Sequence, residues 1–514
     1  MKKLGYSFTD NLSFTKKRRP RGGVKSDNSK KNSIDLKYLT LILLLILAGK
    51  TFYLQIIQGT ENRNKSDQNR VQIKKIIAQR GVIYDNQGQI LAFNKPRNYD
   101  QLIESLTKNE EPSVFSFREY PYGLNTAHIL SGIEFSYDAL LKGIDGRELI
   151  ETDALGKKIM VIKREEPIPG KNISLTLDIN LQKTAVGAMD KVINNTRYFG
   201  GKVVKGAVIV TNYKGEVLVL YSAPSFDPTN IADYLTDTSN MPLVNRAISG
   251  TYPPGSTFKI VTALSALMEN KINSNTRFED TGVLVIGEWK FPNWLFIKRG
   301  QTDGFVDVVT AIKRSNDIFF YKTAEALGME DLQKWMKKFG LGEKSKIDLP
   351  GEVTGLVPTS EWKMANINED WYLGDTYHLG IGQGYVLVTP LQVNLWTLAV
   401  ANGGKLCKPR LVQDNTQNNC KDLGIKAEYI DLVKAGMKGA CETNGTGWPF
   451  FDYKKTEVYC KTGTAEFGDP QNKTHAWFTA FTKDIVVTVL VESGGEGSDV
   501  SSFVAKDIID KYYE

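Results

Sequence analysis

A chain of 514 residues, 41% hydrophobic and 24% charged, holds enough apolar material for one large domain and smaller companions, which excludes wholesale disorder. Its formal net charge of +7 suggests nucleic acid only until the charge is located. Met1 to Lys37 hold 11 Lys/Arg against 3 Asp/Glu while the remainder holds 54 against 55, so no basic face is left to follow a phosphate backbone.

The basic tail, residues 1–35, runs into "YLTLILLLILAG" and, past Lys50, "TFYLQIIQG". The first run alone is too short for ~30 Å of hydrocarbon, but Leu36 to Ile57, with Lys50 snorkelling near one end, is long enough. The basic stretch is longer than a signal peptide's, and no small-x-small cleavage site follows. Lys/Arg clusters stay cytoplasmic. Residues 36–57 are therefore expected to be a single-pass membrane anchor, with the tail inside and the rest outside.

Residues 58–170 are expected to form a polar tether, Gly59 to about Arg70, and then a small β-rich, membrane-proximal pedestal. In "GVIYDNQGQILAF", for example, "DNQG" turns between two apolar runs. Residues 171–514 are denser. "GAVIVTNYKGEVLVLYS" is a hairpin, "VTALSALMENK" a buried helix, "HAWFTAFTKDIVVTVLVES" two more strands, and "SSFVAKDIIDKYYE" a closing amphipathic helix. Strands at both ends of a helical middle predict an α+β domain around an antiparallel sheet.

"YPPGSTFKI" delivers Ser256 to a helix start with Lys259 three residues later. A hydroxyl needs a base, and positions i and i+3 share a helix face, so Lys259 can reach Ser256 if burial lowers its pKa. None of the three histidines, His128, His378 and His475, sits in a triad context. S-x-x-K alone is a spacing that chance supplies. Two further motifs follow in order: "KRSNDIFFY" with Ser315 and Asp317, and "VYCKTGTAEF" with Lys461, Thr462, Gly463 and Thr464 on a strand. Taken singly, Ser315 reads as a helix cap and K-T-G as a strand-end turn. In sequence they approach the S-x-x-K, S-x-N/D, K-T-G series of penicillin-binding proteins and β-lactamases. Ser315 can pass a proton between Lys259 and an amine. Asp317 can orient Lys259 or a substrate amide. Lys461 supplies a fixed positive charge, and Thr462 a hydroxyl, for a substrate carboxylate. Gly463 lets substrate backbone come close. The N–H groups of Ser256 and Thr464 can form an oxyanion hole.

From the anchor onward the chain resembles a class B penicillin-binding protein, a peptidoglycan D,D-transpeptidase. "RGVIYDNQGQILA", "GIEFSYDALLKGIDG", "LTLDINLQ", "GIGQGYVLVTPLQ" and "KTGTAEF…THAWFTAF" carry the resemblance beyond the motifs. "WYLGDTYHLGIGQG", "ESGGEGSD" and Asp317, where most relatives carry Asn, resemble the elongation-type branch. The resemblance implies the penicillin-binding fold: a five-stranded antiparallel sheet flanked by helices, with an all-helical subdomain. It also implies acyl transfer from D-Ala-D-Ala stem peptides through a serine ester, inhibition by β-lactams, no cofactor, and assembly with a SEDS-family (RodA-like) polymerase. Other outcomes of the same fold are a septal transpeptidase, a D,D-carboxypeptidase and a non-catalytic scaffold. A β-lactamase fits less well, because the chain is almost twice the needed length and lacks an E-x-x-L-N run.

Two departures stand out. Only "LTKNEEPSVFSFREYPYG" occupies the place of the usual pedestal insertion, so a reduced pedestal is expected. Some elongation-type relatives hold a structural zinc, but here Asp280 is joined by Asn293 in place of a second acid, with no His, and Ile312 where Cys would be wanted. No metal is expected. The four cysteines allow three pairings, and their placement favours the local ones, Cys407 with Cys420 and Cys441 with Cys460.

Overall fold

The computed structural model describes residues 32–95, 117–153, 155–193, 204–413 and 420–514. The basic tail up to residue 31 and most of the shortened pedestal segment lie outside the described residues.

The chain divides into two compact units, one of residues 1–74 with 147–164 and one of 75–146 with 165–514. In the first, the helix Asn32–Phe52 continues through a π-helical turn, Tyr53–Ile57. Leu36–Ile57 has a mean hydropathy of 1.9 and is unburied by protein, long and apolar enough to cross a bilayer. Gly59–Arg70, expected as a tether, is a helix. Asn62 ties its first turn to the Leu54 carbonyl at 3.0 Å, and Glu61 pairs with Lys65 at 2.6 Å across one turn. Polar composition alone had concealed it, because the run contains neither proline nor an apolar stripe. A three-stranded sheet completes this unit, with Gly146–Thr152 between Val71–Ile76 and Lys158–Glu165.

The second unit joins residues 75–146 to 165–514. Ile83–Tyr84 pairs in parallel with Ile173–Ser174, and Asn86 N–H donates to Leu177 O, so the first pedestal hairpin is stitched to the segment entering the large domain. Two short helices, Ala127–Ser136 and Asp138–Leu141, lie in this β-rich region, and Arg80 clamps them through Glu134 and Asp138.

The five-stranded sheet is antiparallel throughout, in the order Tyr459–Glu466, Thr474–Phe481, Ile485–Val491, Gly206–Asn212, Val217–Ala223. The central strand Ile485–Val491 is buried at every residue, as a strand covered on both faces must be. Leu181, Ala185 and Met189 of one helix and Val504 and Ile508 of the C-terminal helix join one core with the sheet's valines. The wholly buried helix Pro390–Ala401 and the helical region with Lys259–Met268 belong to the other. Tyr459–Glu466 is an edge strand, with no strand paired on its far side.

Candidate active site

Two prolines and Gly255 lead into a short 3-10 turn, Gly255–Phe258, that passes directly into the helix Lys259–Met268. Gly255 has φ +53° and donates its N–H to Gly382 O at 2.8 Å. A Cβ on Gly382 would lie 2.3 Å from Gly255 O, so only a glycine there lets "GIGQG" press on this turn. Trp477 Nε1 fixes the other side by donating to Pro253 O at 2.9 Å. Ser256 is left half-buried, and Lys259 is completely buried.

Ser315 ends the helix Val308–Arg314 at φ +56°, a left-handed conformation uncommon for a residue with a side chain. Asn316 caps the next helix by accepting from Phe319 N–H at 2.9 Å, and Asp317 is that helix's first residue. This junction turns three oxygens onto Lys259 Nζ: Asp317 Oδ1 at 2.7 Å, Ser315 O at 2.8 Å and Ser315 Oγ at 3.4 Å. Lys461 Nζ, from the edge strand, donates to the same Ser315 Oγ at 2.8 Å and to Thr462 O at 2.9 Å. One hydroxyl thus links two buried amines.

Burial lowers the Lys259 pKa and outweighs the Asp317 carboxylate, which raises it. Lys461 is pushed well below its ordinary range, first by burial and then by the positive charge of Lys259. One carboxylate cannot hold two buried ammonium groups. The fixed charge expected on Lys461 is therefore disfavoured by its own surroundings, burial first and the charge of Lys259 second.

A second layer holds Asp317. Its Oδ2 accepts from Trp294 N–H at 2.9 Å, and its own N–H donates to Asn293 Oδ1 at 3.1 Å. Asn293 Nδ2 and Asn316 Nδ2 each reach Asp280 Oδ2 at 2.8 Å, and Asp303 N–H reaches the same oxygen at 2.9 Å. Two amides and one saturated carboxylate suit hydrogen bonding, and the residues do not fit a zinc ion. The described residues contain no group of three His, Cys, Asp or Glu placed to hold a metal.

On the edge strand, Thr462 Oγ1 donates to Thr446 Oγ1 at 2.8 Å, and Thr464 Oγ1 donates to Glu496 Oε2 at 3.0 Å. Glu496 is held in turn by Lys298 at 2.5 Å. The close approach at Gly463 is made by the protein's own nucleophile turn: a Cβ there would sit 3.0 Å from Thr257 Cγ2 and 3.2 Å from Pro254 O. Disulfides join Cys407 to Cys420 and Cys441 to Cys460. The second encloses the loop that carries Thr446, and Arg314 Nη1 donates to Asn444 O of the same loop at 2.7 Å. Trp294, Asn316, Thr446 and Glu496 escaped the sequence reading, and Asn293 entered it only as a residue standing where a metal ligand would fall. Only Asn316, inside S-x-D, carried a local signal, because Asn before a helix is a cap.

The amines gathered at Ser315 are lysines, and neither His128 nor His475 is bonded to them. His128 Nε2 donates to Pro242 O and His475 accepts from Ser493 N–H, both with pKa values pushed down to about 4 by burial. That defines a serine acyltransferase of the S-x-x-K kind. Residues 206–510 match the penicillin binding protein transpeptidase domain, and residues 130–175 match the penicillin-binding protein dimerisation domain. The chain belongs to the penicillin-binding protein transpeptidase family, in its class B, elongation-type branch. It is 29% identical to the peptidoglycan D,D-transpeptidase MrdA of Escherichia coli, over 91% of this chain and 92% of that one. Their alignment runs over 598 positions, more than the 514 residues here, so the relative carries segments this chain lacks. A Helicobacter pylori penicillin-binding protein, PBP2 in complex with MreC, superposes with TM-score 0.72 and 26% identity, over 86% of this chain and 99% of that one. A chain from a peptidoglycan synthase complex that coordinates polymerization and crosslinking superposes with TM-score 0.74 and 26% identity, over 94% and 98%.

Proposed function

We infer that this protein is a peptidoglycan D,D-transpeptidase of cell-wall elongation, and the single observation that carries the inference is Ser315 Oγ set between Lys259 and Lys461. Ser256 Oγ gives its proton to Lys259 Nζ and bonds to the carbonyl carbon of the penultimate D-alanine of a stem peptide. The C–N bond to the terminal D-alanine breaks, and its nitrogen takes a proton through Ser315 from the lysine pair. An amine of a neighbouring stem then attacks the Ser256 ester, forms the cross-linking amide and returns the proton to Ser256. Lys461 and Thr462 bind the terminal carboxylate. The N–H groups of Ser256 and Thr464 hold the oxyanion. Thr464 O points off the sheet edge, 3.5 Å from Gln383 Nε2, and the N–H of a strand residue shares the direction of its C=O. A β-lactam acylates Ser256 by opening its ring amide. Fluorescent-penicillin labelling of wild type and Ser256→Ala tests the reading, and labelling that survives in Ser256→Ala overturns it.

The anchor is assigned with the basic tail on the cytoplasmic side and the catalytic unit outside, because Lys/Arg clusters resist translocation. Assembly with a SEDS-family, RodA-like polymerase is supported by the Lys158–Glu165 strand, where Ile159, Met160, Val161 and Ile162 are all exposed. Ile159→Glu with Ile162→Glu should abolish co-purification of the polymerase from membranes and leave penicillin labelling in place. Co-purification that persists overturns this surface.

A further inference from the structure

Thr462, Thr464 and Glu466 alternate along one face of the edge strand that carries K-T-G. The first two make hydrogen bonds, to Thr446 and Glu496. Glu466 is exposed, and among the described residues its carboxylate has no hydrogen bond or ion pair. The other carboxylates around the cleft are occupied: Asp317 by Lys259, Glu496 by Lys298, Asp375 by Lys363, Glu325 by Tyr377. The charge of Glu466 is felt on both opposing groups, the Tyr321 phenol and the His378 imidazole. Burial lowers the His378 pKa, outweighing the opposite pull of Asp375 and Glu466, so this ring is a poor counter-charge for the carboxylate. An uncompensated anion thus stands at the end of the strand on which the substrate is read.

The open edge fixes what reaches it. An extended peptide adds to a free strand edge by main-chain hydrogen bonds. If its terminal carboxylate lies at Lys461 and Thr462 and its scissile carbonyl at Thr464, the peptide runs antiparallel to the strand. At roughly 3.3 Å per residue, the residue just upstream of D-Ala-D-Ala lies opposite Ala465, with a long side chain within reach of Glu466. If the amine that takes the acyl group is a side-chain amine, and donor and acceptor stems share one chemistry, the donor stem carries such an amine as well.

We propose that Glu466 reads the ammonium group on the donor stem residue that precedes D-Ala-D-Ala, and so selects stems whose side-chain amine is still free. This rests on the transpeptidase reading above. The test uses the full-length protein and two synthetic stem pentapeptides, one with that amine free and one with it N-acetylated, and follows D-alanine release in single-turnover acylation. The wild type should prefer the free amine about fivefold, the upper range for a partly exposed charge pair. Glu466→Gln should bring the ratio to about one, and Glu466→Lys should invert it. Because the readout is a ratio within each variant, partial loss of folded protein does not disguise it. A preference that persists in Glu466→Gln overturns the proposal. Equal acylation by both peptides with a slowed transfer to added amine also overturns it, by assigning Glu466 to the acceptor. Absence of penicillin acylation in the wild type instead defeats the transpeptidase reading on which the proposal stands.

Discussion

Two buried polar networks lie in the large unit, and they are built on opposite rules. Against the sheet, Asn394 and Thr397 of the helix Pro390–Ala401 meet Thr211, Thr479 and Thr488, one from each of three neighbouring strands. Thr211 donates to Asn394 Oδ1 at 2.7 Å, Thr479 to Thr397 at 2.9 Å, and Thr479 shares a bond with Thr488 at 2.8 Å. All five are fully buried, neutral and satisfied, which is how a core tolerates polar groups. The Lys259–Ser315–Asp317–Lys461 cluster is also buried but has two amines for one carboxylate. A neutral network closes on itself and fixes how a helix sits on a sheet. A network with two amines for one carboxylate does not close on itself, and under the proposed function that is where a substrate carboxylate would enter.

If the contrast holds, mutations in the two networks should fail differently. Ser256→Ala should abolish penicillin acylation without lowering the melting temperature, read by labelling and calorimetry on the same sample. Lys259→Ala should slow acylation by at least ~10²-fold, the low end for a general base, and a smaller loss would assign the base elsewhere. Asp317→Asn sharpens the electrostatic half of the argument. The carboxylate raises the Lys259 pKa, so its removal should lower that pKa further and move the acid limb of the acylation pH profile to lower pH. A limb that stays in place, or moves up, would mean that Lys259 does not set it.

Asn394→Ala should do the reverse, costing about 1–3 kcal/mol in denaturant titration for the hydroxyls left unpaired, while the folded fraction acylates at the wild-type rate. Smallest in kinetic effect, Cys441→Ser with Cys460→Ser should lower stability by roughly 3 kcal/mol in the chain-entropy model. Because the loop it frees carries Thr446 and the carbonyl bound by Arg314, acylation should also slow severalfold. Unchanged kinetics with lowered stability would make this disulfide a staple only.

The amount legible beforehand follows the same division. The three motifs, the hairpins and the anchor were readable because each is a short-range pattern: a spacing of three on a helix, an alternation on a strand, an apolar run of bilayer length. The helix Gly59–Arg70 was hidden by its uniformly polar face. The pairing of Ile83 with Ile173 was hidden as well, because it joins segments about ninety residues apart.

The sequence by itself determined the reagents: which serine, which lysines, and the order in which the chain presents them. The folded chain alone decided their protonation and their support. Lys259 and Lys461 are 202 residues apart, and the charge of Lys259 disfavours that of Lys461 only because the edge strand and the Ser315 junction are packed into one buried site. Asn293 looked like a missing metal ligand, yet it became the amide that holds Asp317, since Asp280, Asn316 and the Asp303 backbone converge there from separate segments. Burial and long-range charge depend on where distant segments meet, and a local pattern of residue types contains no record of that.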